Sequence, residues 1–277
     1  MHKNVGAINN KGLEISLNAD VIRTSKFQWT SDFNIGFNRN RVTELYGGKP
    51  ELKGLKRLEE GRDMDEWYLR EWAGVDPANG SPLWYTTDEN GKRTTTDSYN
   101  KADRVYCGSA APKFTGGWMN SFSYKGFTLT ANFDFVYGNL LYNQSRELLD
   151  SDGAYADYNS MKLKSGWKRW EKEGDIATHP KAINGGNKNS NKSSSRYLEK
   201  GNYFSLRNLS LGYSIPEKLC GKLGLQRVNV SCSADNLFTL TPFSGVSPQL
   251  SDSSTDGYAG TIYPLSRRIV LGLNVSF

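Results

Sequence analysis

The residues able to do chemistry are few and badly placed for it. His2 and His179 are the only two histidines in 277 residues, and His179 stands before Pro180 in a stretch that reads as loop. A structural or incidental role is expected for both, since a metal site needs ligands grouped at short spacing. The acidic runs Glu59-Glu60, Asp63, Asp65-Glu66 and Asp150-Ser151-Asp152-Gly153 have the oxygen ligands of a hard-cation site. The second lacks the ligand ladder and closing glutamate of an EF-hand loop, so a solvated loop is the expectation. Cys107, Cys220 and Cys232 are odd in number and widely spaced. They form neither a disulfide framework nor a CxxC pair. No GxSxG, HExxH or phosphate-binding loop is present. The sequence therefore assigns no catalytic, cofactor or metal residues, and an enzyme is not expected. Trp67, Tyr68, Trp72, Trp84, Tyr85, Trp167 and Trp170 are candidates for stacking on a ligand or meeting a partner. The competing expectation, which the sequence favours, is that they pack the loops on one another or contact a covering partner.

The elements that would carry these residues are strands. The last ten residues, RIVLGLNVSF, alternate between apolar Ile269, Leu271, Leu273, Val275 and Phe277 and small or polar neighbours. A period of two gives a strand with one greasy and one wet face, and about ten residues suffice to cross a bilayer at barrel tilt. Leu271, Leu273, Val275 and Phe277 are expected to face lipid, with Phe277 as a terminal assembly signal. Alternation recurs over residues 11–23, 27–45, 113–124, 127–138, 203–213 and 227–238. In the first, Leu13, Ile15, Leu17, Ala19 and Val21 share a face. Trp29, Phe33, Phe127, Tyr137 and Tyr213 extend the apolar faces and girdles.

Between these seven strands the links alternate short and long. Tight links fall at 24–26, 125–126 and 214–226; excursions fill 46–112, 143–202 and 239–265. Excursions of that size are uncommon in compact domains. They suit an outer-membrane barrel, with turns on the periplasmic side and loops outside. The first excursion is expected to hold a hairpin or two. Within the second, Met161 to Glu173 reads as helical, and 184–195, NGGNKNSNKSSS, as mobile low-complexity chain.

Bulk properties fit. Lysine and arginine number 35 against 29 acids, a net charge of +6, but the basic residues are scattered and no nucleic-acid patch forms. Mean hydropathy is negative, as expected where only alternate residues meet lipid. No run approaches the roughly 18 apolar residues of a spanning helix. The N-terminus has no secretory leader. Read plainly, this means a cytoplasmic chain; the alternative is that an N-terminal part, leader included, is missing.

Several segments together resemble the C-terminal portion of a SusC/RagA-type TonB-linked (TonB-dependent) outer membrane protein of the Bacteroidetes kind. They are NKGLEI (10–15), WAGVDPANGSPLWY (72–85), APKFTGGWMNSFSYKGFTL (111–129), RYLEKGNYFSLRNLSLGYSIP (196–216), DNLFTLTPFSGVSPQL (235–250) and YPLSRRIVLGLNVSF (263–277). The resemblance implies an all-β, antiparallel transmembrane barrel of 22 strands, of which about seven are here, with a plug. It implies TonB-energised uptake of oligosaccharides or peptides, and a SusD-like surface lipoprotein held by the outer loops. The TonB complex would act through the N-terminal part, whose plug, TonB-contacting segment and leader have no counterpart in residues 1–277. Seven strands cannot close a bacterial barrel, which needs at least about eight, so a fragment in the outer membrane is expected. The alternatives are a non-transporting adhesive or structural barrel, and a soluble carbohydrate-binding β-sandwich.

Overall fold

The computed structural model describes residues 6–222, 224–250, 257–260 and 263–277; His2 lies outside them. Strong alternation produces long strands. β1 (Gly6–Arg23), β2 (Phe27–Leu45), β3 (Phe114–Tyr124), β4 (Phe127–Tyr137), β5 (Tyr203–Ser214), β6 (Arg227–Leu240) and β7 (Arg268–Ser276) pair antiparallel in that order as one seven-stranded sheet. Each neighbour in the sheet is the next of these strands in the chain, the up-and-down order of a barrel wall.

Register sorts the side chains into two faces. Leu17, Phe33, Trp118, Phe133, Leu206 and Phe238 stand opposite one another in one apolar row. Asn18, Asp32, Met119, Asn132, Asn208, Asp235 and Arg268 form a row on the other face. Ile269, Leu271 and Leu273 are 70%, 79% and 70% exposed, so no second sheet covers the apolar face there and the sandwich alternative fails. Polar atoms on this face are paired within it. Trp29 Nε1 donates to Asn120 Oδ1 at 3.0 Å, and Trp118 Nε1 to Ser31 Oγ at 2.9 Å. That is what a face turned to hydrocarbon requires.

Aromatic rings mark both ends of the face. Phe27, Tyr124, Phe127 and Tyr213 share a row at the turn end; Phe37, Phe114 and Tyr137 cluster at the loop end. The eleven residues from Phe114 to Tyr124 cover about 33 Å of strand, or about 25 Å of height at barrel tilt, the height of an outer-membrane apolar band. The β3–β4 turn is tight because Lys125 and Gly126 both take positive φ, 45° and 86°, the geometry that matches strand twist.

Three details differ from the sequence expectation. A register shift between Asp20 and Ile22 places Ile22, not Val21, opposite Trp29; one inserted residue flips every side chain beyond it. Residues 161–173 contain no helix: Gly166 takes φ 83°, and Arg169 bridges His179 instead. Among the described residues, α-helix forms instead as short segments at Ser145–Leu149 and, in the third tight link, at Glu217–Lys222.

The long links are folded bodies at one end of the wall. The first carries two small sheets, one of Glu51–Lys53, Lys56–Leu58, Glu66–Arg70 and Arg104–Ser109, the other of Trp72–Val75, Pro82–Thr87 and Arg93–Thr96. A third joins the second and third excursions through Leu140–Asn143, Leu198–Lys200 and Tyr258–Ala259. The hydrophobic core clusters lie here, not in the wall.

Candidate functional site

The loop-end assembly is built on the aromatic residues singled out from the sequence, and three of them are interior. Trp67 is fully buried. Its Nε1 donates to Leu140 O at 3.0 Å, and its ring meets Tyr142 at 5.8 Å and Tyr258 at 5.1 Å. One indole thus joins the first excursion to the strand that leads into the second and to the third. Trp84, also fully buried, packs edge-on against Trp72 (5.6 Å) and Tyr99 (5.5 Å). Trp170 is buried and donates from Nε1 to Pro77 O at 2.9 Å. Trp72, Tyr85 and Trp167 remain half-buried, each with a cation over its ring: Arg196 at 5.1 Å, Arg93 at 3.8 Å and Arg146 at 4.4 Å.

The second component is a buried charge network that the sequence did not disclose. Asp150 and Asp152, expected in a solvated loop, are 1% and 2% exposed. Asp150 accepts from Arg146 at 2.8 Å, from Arg196 at 3.3 Å and pairs with His179 Nε2 at 3.0 Å. Asp152 pairs with Arg169 at 2.7 Å and with Arg196, and takes a hydroxyl from Ser190 at 2.7 Å. Arg146 also reaches Glu199 at 3.0 Å, and Glu199 accepts from Ser244 of the third excursion. Burial alone raises a carboxyl. At Asp150 the His179 hydrogen bond and the Arg196 and Arg146 charges outweigh that, and hold it at about 2. Carboxylates already shared among guanidinium groups hold loops together rather than bind a divalent cation.

This network also corrects the reading of 184–195 as mobile. Ser190 and Ser194 are fully buried, and Asn187 donates to Lys181 O at 2.9 Å and Gly80 O at 3.2 Å. Short polar side chains here satisfy buried backbone groups, which composition alone cannot show. Burial pushes the Cys107 thiol up to about 11, far from a reactive thiolate.

Below the loops lies the polar face of the wall. Asp235 accepts from Asn208 Nδ2 at 2.7 Å and pairs with Arg268 at 2.7 Å. Asp134 accepts from Tyr203 at 3.2 Å. Of the residues expected to meet lipid, Leu271, Leu273 and Val275 share the opposite face by register, and Phe277, just past the last strand, is 84% exposed.

Comparison with known proteins gives this arrangement its context. No protein-family model matches the chain. It is 28% identical over 326 residues to the TonB-dependent receptor P39 of Formosa agariphila, covering 99% of this chain and 31% of that protein. It is 29% identical over 311 residues to the TonB-dependent receptor P3 of the same organism, covering 99% and 29%. Against the TonB-dependent receptor SusC of Bacteroides thetaiotaomicron the figures are 23% identity over 302 residues, 100% and 27%. A solved structure of the RagAB peptide transporter superposes with a TM-score of 0.84 at 26% identity, over 99% of this chain and 30% of that one. The chain thus spans less than a third of the length of these relatives. The resemblance seen in the motifs holds along its whole length, and the seven strands are a section of an outer-membrane barrel wall.

Proposed function

We propose that this chain, similar throughout to SusC- and RagA-type receptors, forms the wall section and loop superstructure of a TonB-energised importer. The tight turns face the periplasm and the three excursions face the exterior. The polar face lines the path of the imported solute. The solute is a peptide, the class named for the similar RagAB peptide transporter, or an oligosaccharide, the other class that the resemblance in the sequence implies. The loop assembly holds a SusD-like surface lipoprotein, with the half-buried Trp72, Tyr85 and Trp167 as contact residues. Energy arrives from the TonB complex through the remainder of the receptor. The relatives are transporters or receptors rather than enzymes, and this reading gives the chain no catalytic step.

The observation that carries the proposal is the two-faced wall joined to a consolidated loop body. One face is turned to hydrocarbon, the other is polar, and one end alone carries the large folded excursions. A non-transporting barrel would need no such body seated above its lumen.

The test is made in the full-length receptor. Residues 143–202 are replaced by a short glycine-serine link. Barrel assembly is expected to persist, while co-purification of the surface lipoprotein and uptake of the cognate solute are lost. Wild-type uptake of every glycan and peptide tried, in cells lacking the receptor altogether, would sink the transport reading.

A further inference from the structure

We infer that the apolar face carries a built site for the acyl chain of a membrane lipid with an anionic, phosphorylated headgroup. The site is a notch of about 540 Å³ where β4, β5 and β6 reach the loops. That volume lies in the range of small-molecule sites, about 300–1,000 Å³. Its leaflet, the outer one, rests on the orientation proposed above; the notch itself does not.

Two of the rings that line the notch lean aside and stack on neighbours. Gly116 lies opposite Phe135 in the sheet. A Cβ on Gly116 would stand 2.4 Å from the Phe135 ring, so that ring occupies the space glycine leaves and stacks toward Phe33 at 6.0 Å. Phe204, the β5 partner of Phe135, stacks on Phe133 at 5.2 Å instead. Space opens between Phe114, Phe135, Tyr137, Phe204 and Leu240, all on the apolar face by register.

Polar groups at the mouth are satisfied internally. Gly138 N donates to Asn202 Oδ1 at 2.7 Å, and Thr241 Oγ1 donates to Asn202 O at 2.8 Å. Tyr203 turns its hydroxyl to Asp134 on the opposite face. A lining with its polar atoms already paired suits a hydrocarbon chain and gives a sugar or peptide little to bond. Cations sit at the loop-side rim. Lys164 Nζ donates to the carbonyl of Pro242, a lining residue, at 3.1 Å. Lys113 precedes Phe114 and lays its stem against Gly138. An apolar slot beside the Lys164 ammonium, with Lys113 next to Phe114 in the chain, matches an acyl chain beneath a phosphate.

Native mass spectrometry of the full-length receptor in mild detergent, titrated with dioleoyl phosphatidylglycerol or dioleoyl phosphatidylcholine, tests this. One phosphatidylglycerol should be retained in preference to phosphatidylcholine. Leu240→Trp, which fills the notch, should weaken retention about tenfold, the effect of losing one well-buried apolar contact. Leu273→Trp, near the turn end of the same face, should leave retention unchanged. Lys113→Gln with Lys164→Gln should abolish the preference for phosphatidylglycerol while phosphatidylcholine binding stays. Equal loss in both tryptophan variants, no loss in Leu240→Trp, equal binding of the two lipids, or retention only when an acylated partner co-purifies would each overturn the assignment. A separate readout guards the orientation: Ser165→Cys should react with an impermeant maleimide on intact cells. Failure there removes the outer leaflet and the proposed function, and leaves the lipid measurements to judge the notch.

Discussion

Leu271 on β7 and Asp150 at the start of the second excursion are solvated in opposite senses. Leu271 projects from the sheet with nothing of this chain over it, and Asp150 is sealed among three arginines and a histidine. The wall leaves its apolar groups outside and holds itself together by strand pairing, as a body solvated by lipid does. The loop assembly works in water and must make its own interior. It does so with few aliphatic residues, using Trp67, Tyr142 and Tyr197 together with buried ion pairs. Paired buried charges give little net stability over an apolar core, but breaking one pair is costly. The two regions should therefore fail separately and through different residues.

The largest separation is expected at Arg196, which pairs with both Asp150 and Asp152 and covers Trp72. Arg196→Ala leaves two buried carboxylates short of a partner, a loss of about 3–5 kcal/mol. Protease added to cells should then cut within residues 143–202. The heat-modifiable gel shift of the assembled barrel should be unchanged. If barrel assembly falls with loop protection, the two regions are one cooperative unit and the contrast is lost.

The converse substitution is made in the wall. Leu209→Arg puts a guanidinium on the apolar face midway between the two aromatic rows, and Ser210→Arg puts one on the polar face one residue away. The first should cost about 2–4 kcal/mol near mid-bilayer and reduce the assembled fraction, while the second should be nearly silent. Similar effects from both would mean that the face assignment from register is wrong.

These wall residues were legible because a strand in lipid repeats every second residue and needs no distant information. What periodicity could not show was irregularity: the shift at Ile22, and the extra residue where Asn236 takes φ 53° between β5 and β6. The loop interior was opaque for a different reason. Asp150, Arg169, His179 and Arg196 are scattered over 47 residues, and their meaning lies in pairing that a single sequence does not record. NGGNKNSNKSSS was misleading because the residues that make flexible chain in water are also the short donors that cap buried backbone. Trp67 and Trp84 were found by type, and their burial inside the loop body followed the reading that aromatic residues pack the excursions together.

Acid should sharpen the contrast. The Asp150 carboxyl lies at about 2 in the folded chain against 3.8 ordinarily. A depressed carboxyl adds stability above its unfolded value and loses it as pH falls toward the folded one. The loss should run between about pH 4 and pH 2 and amount to about 2 kcal/mol. Hydrogen exchange of 146–199 should accelerate across that window in the wild type, and Asp150→Asn should flatten the dependence. The strand amides of β3 and β4 should not follow it.

The smallest effect is expected where the two excursions touch through a missing side chain. Gly80 closes the turn after Asp76 with φ 74°, and its carbonyl accepts from Lys181 N at 3.0 Å and Asn187 Nδ2 at 3.2 Å. A Cβ there would stand 2.5 Å from the Trp170 ring. Gly91 supplies the control, with φ 76° and open space around its Cα. Both Gly→Ala changes carry the left-handed backbone cost of about 1–2 kcal/mol. Only Gly80→Ala should also lift Trp170, seen as a red shift and quenching of indole emission and as faster exchange over 168–187. If Gly91→Ala does the same, the backbone term is the whole effect. The second excursion would then be held by its charges alone, without the indole resting on the first.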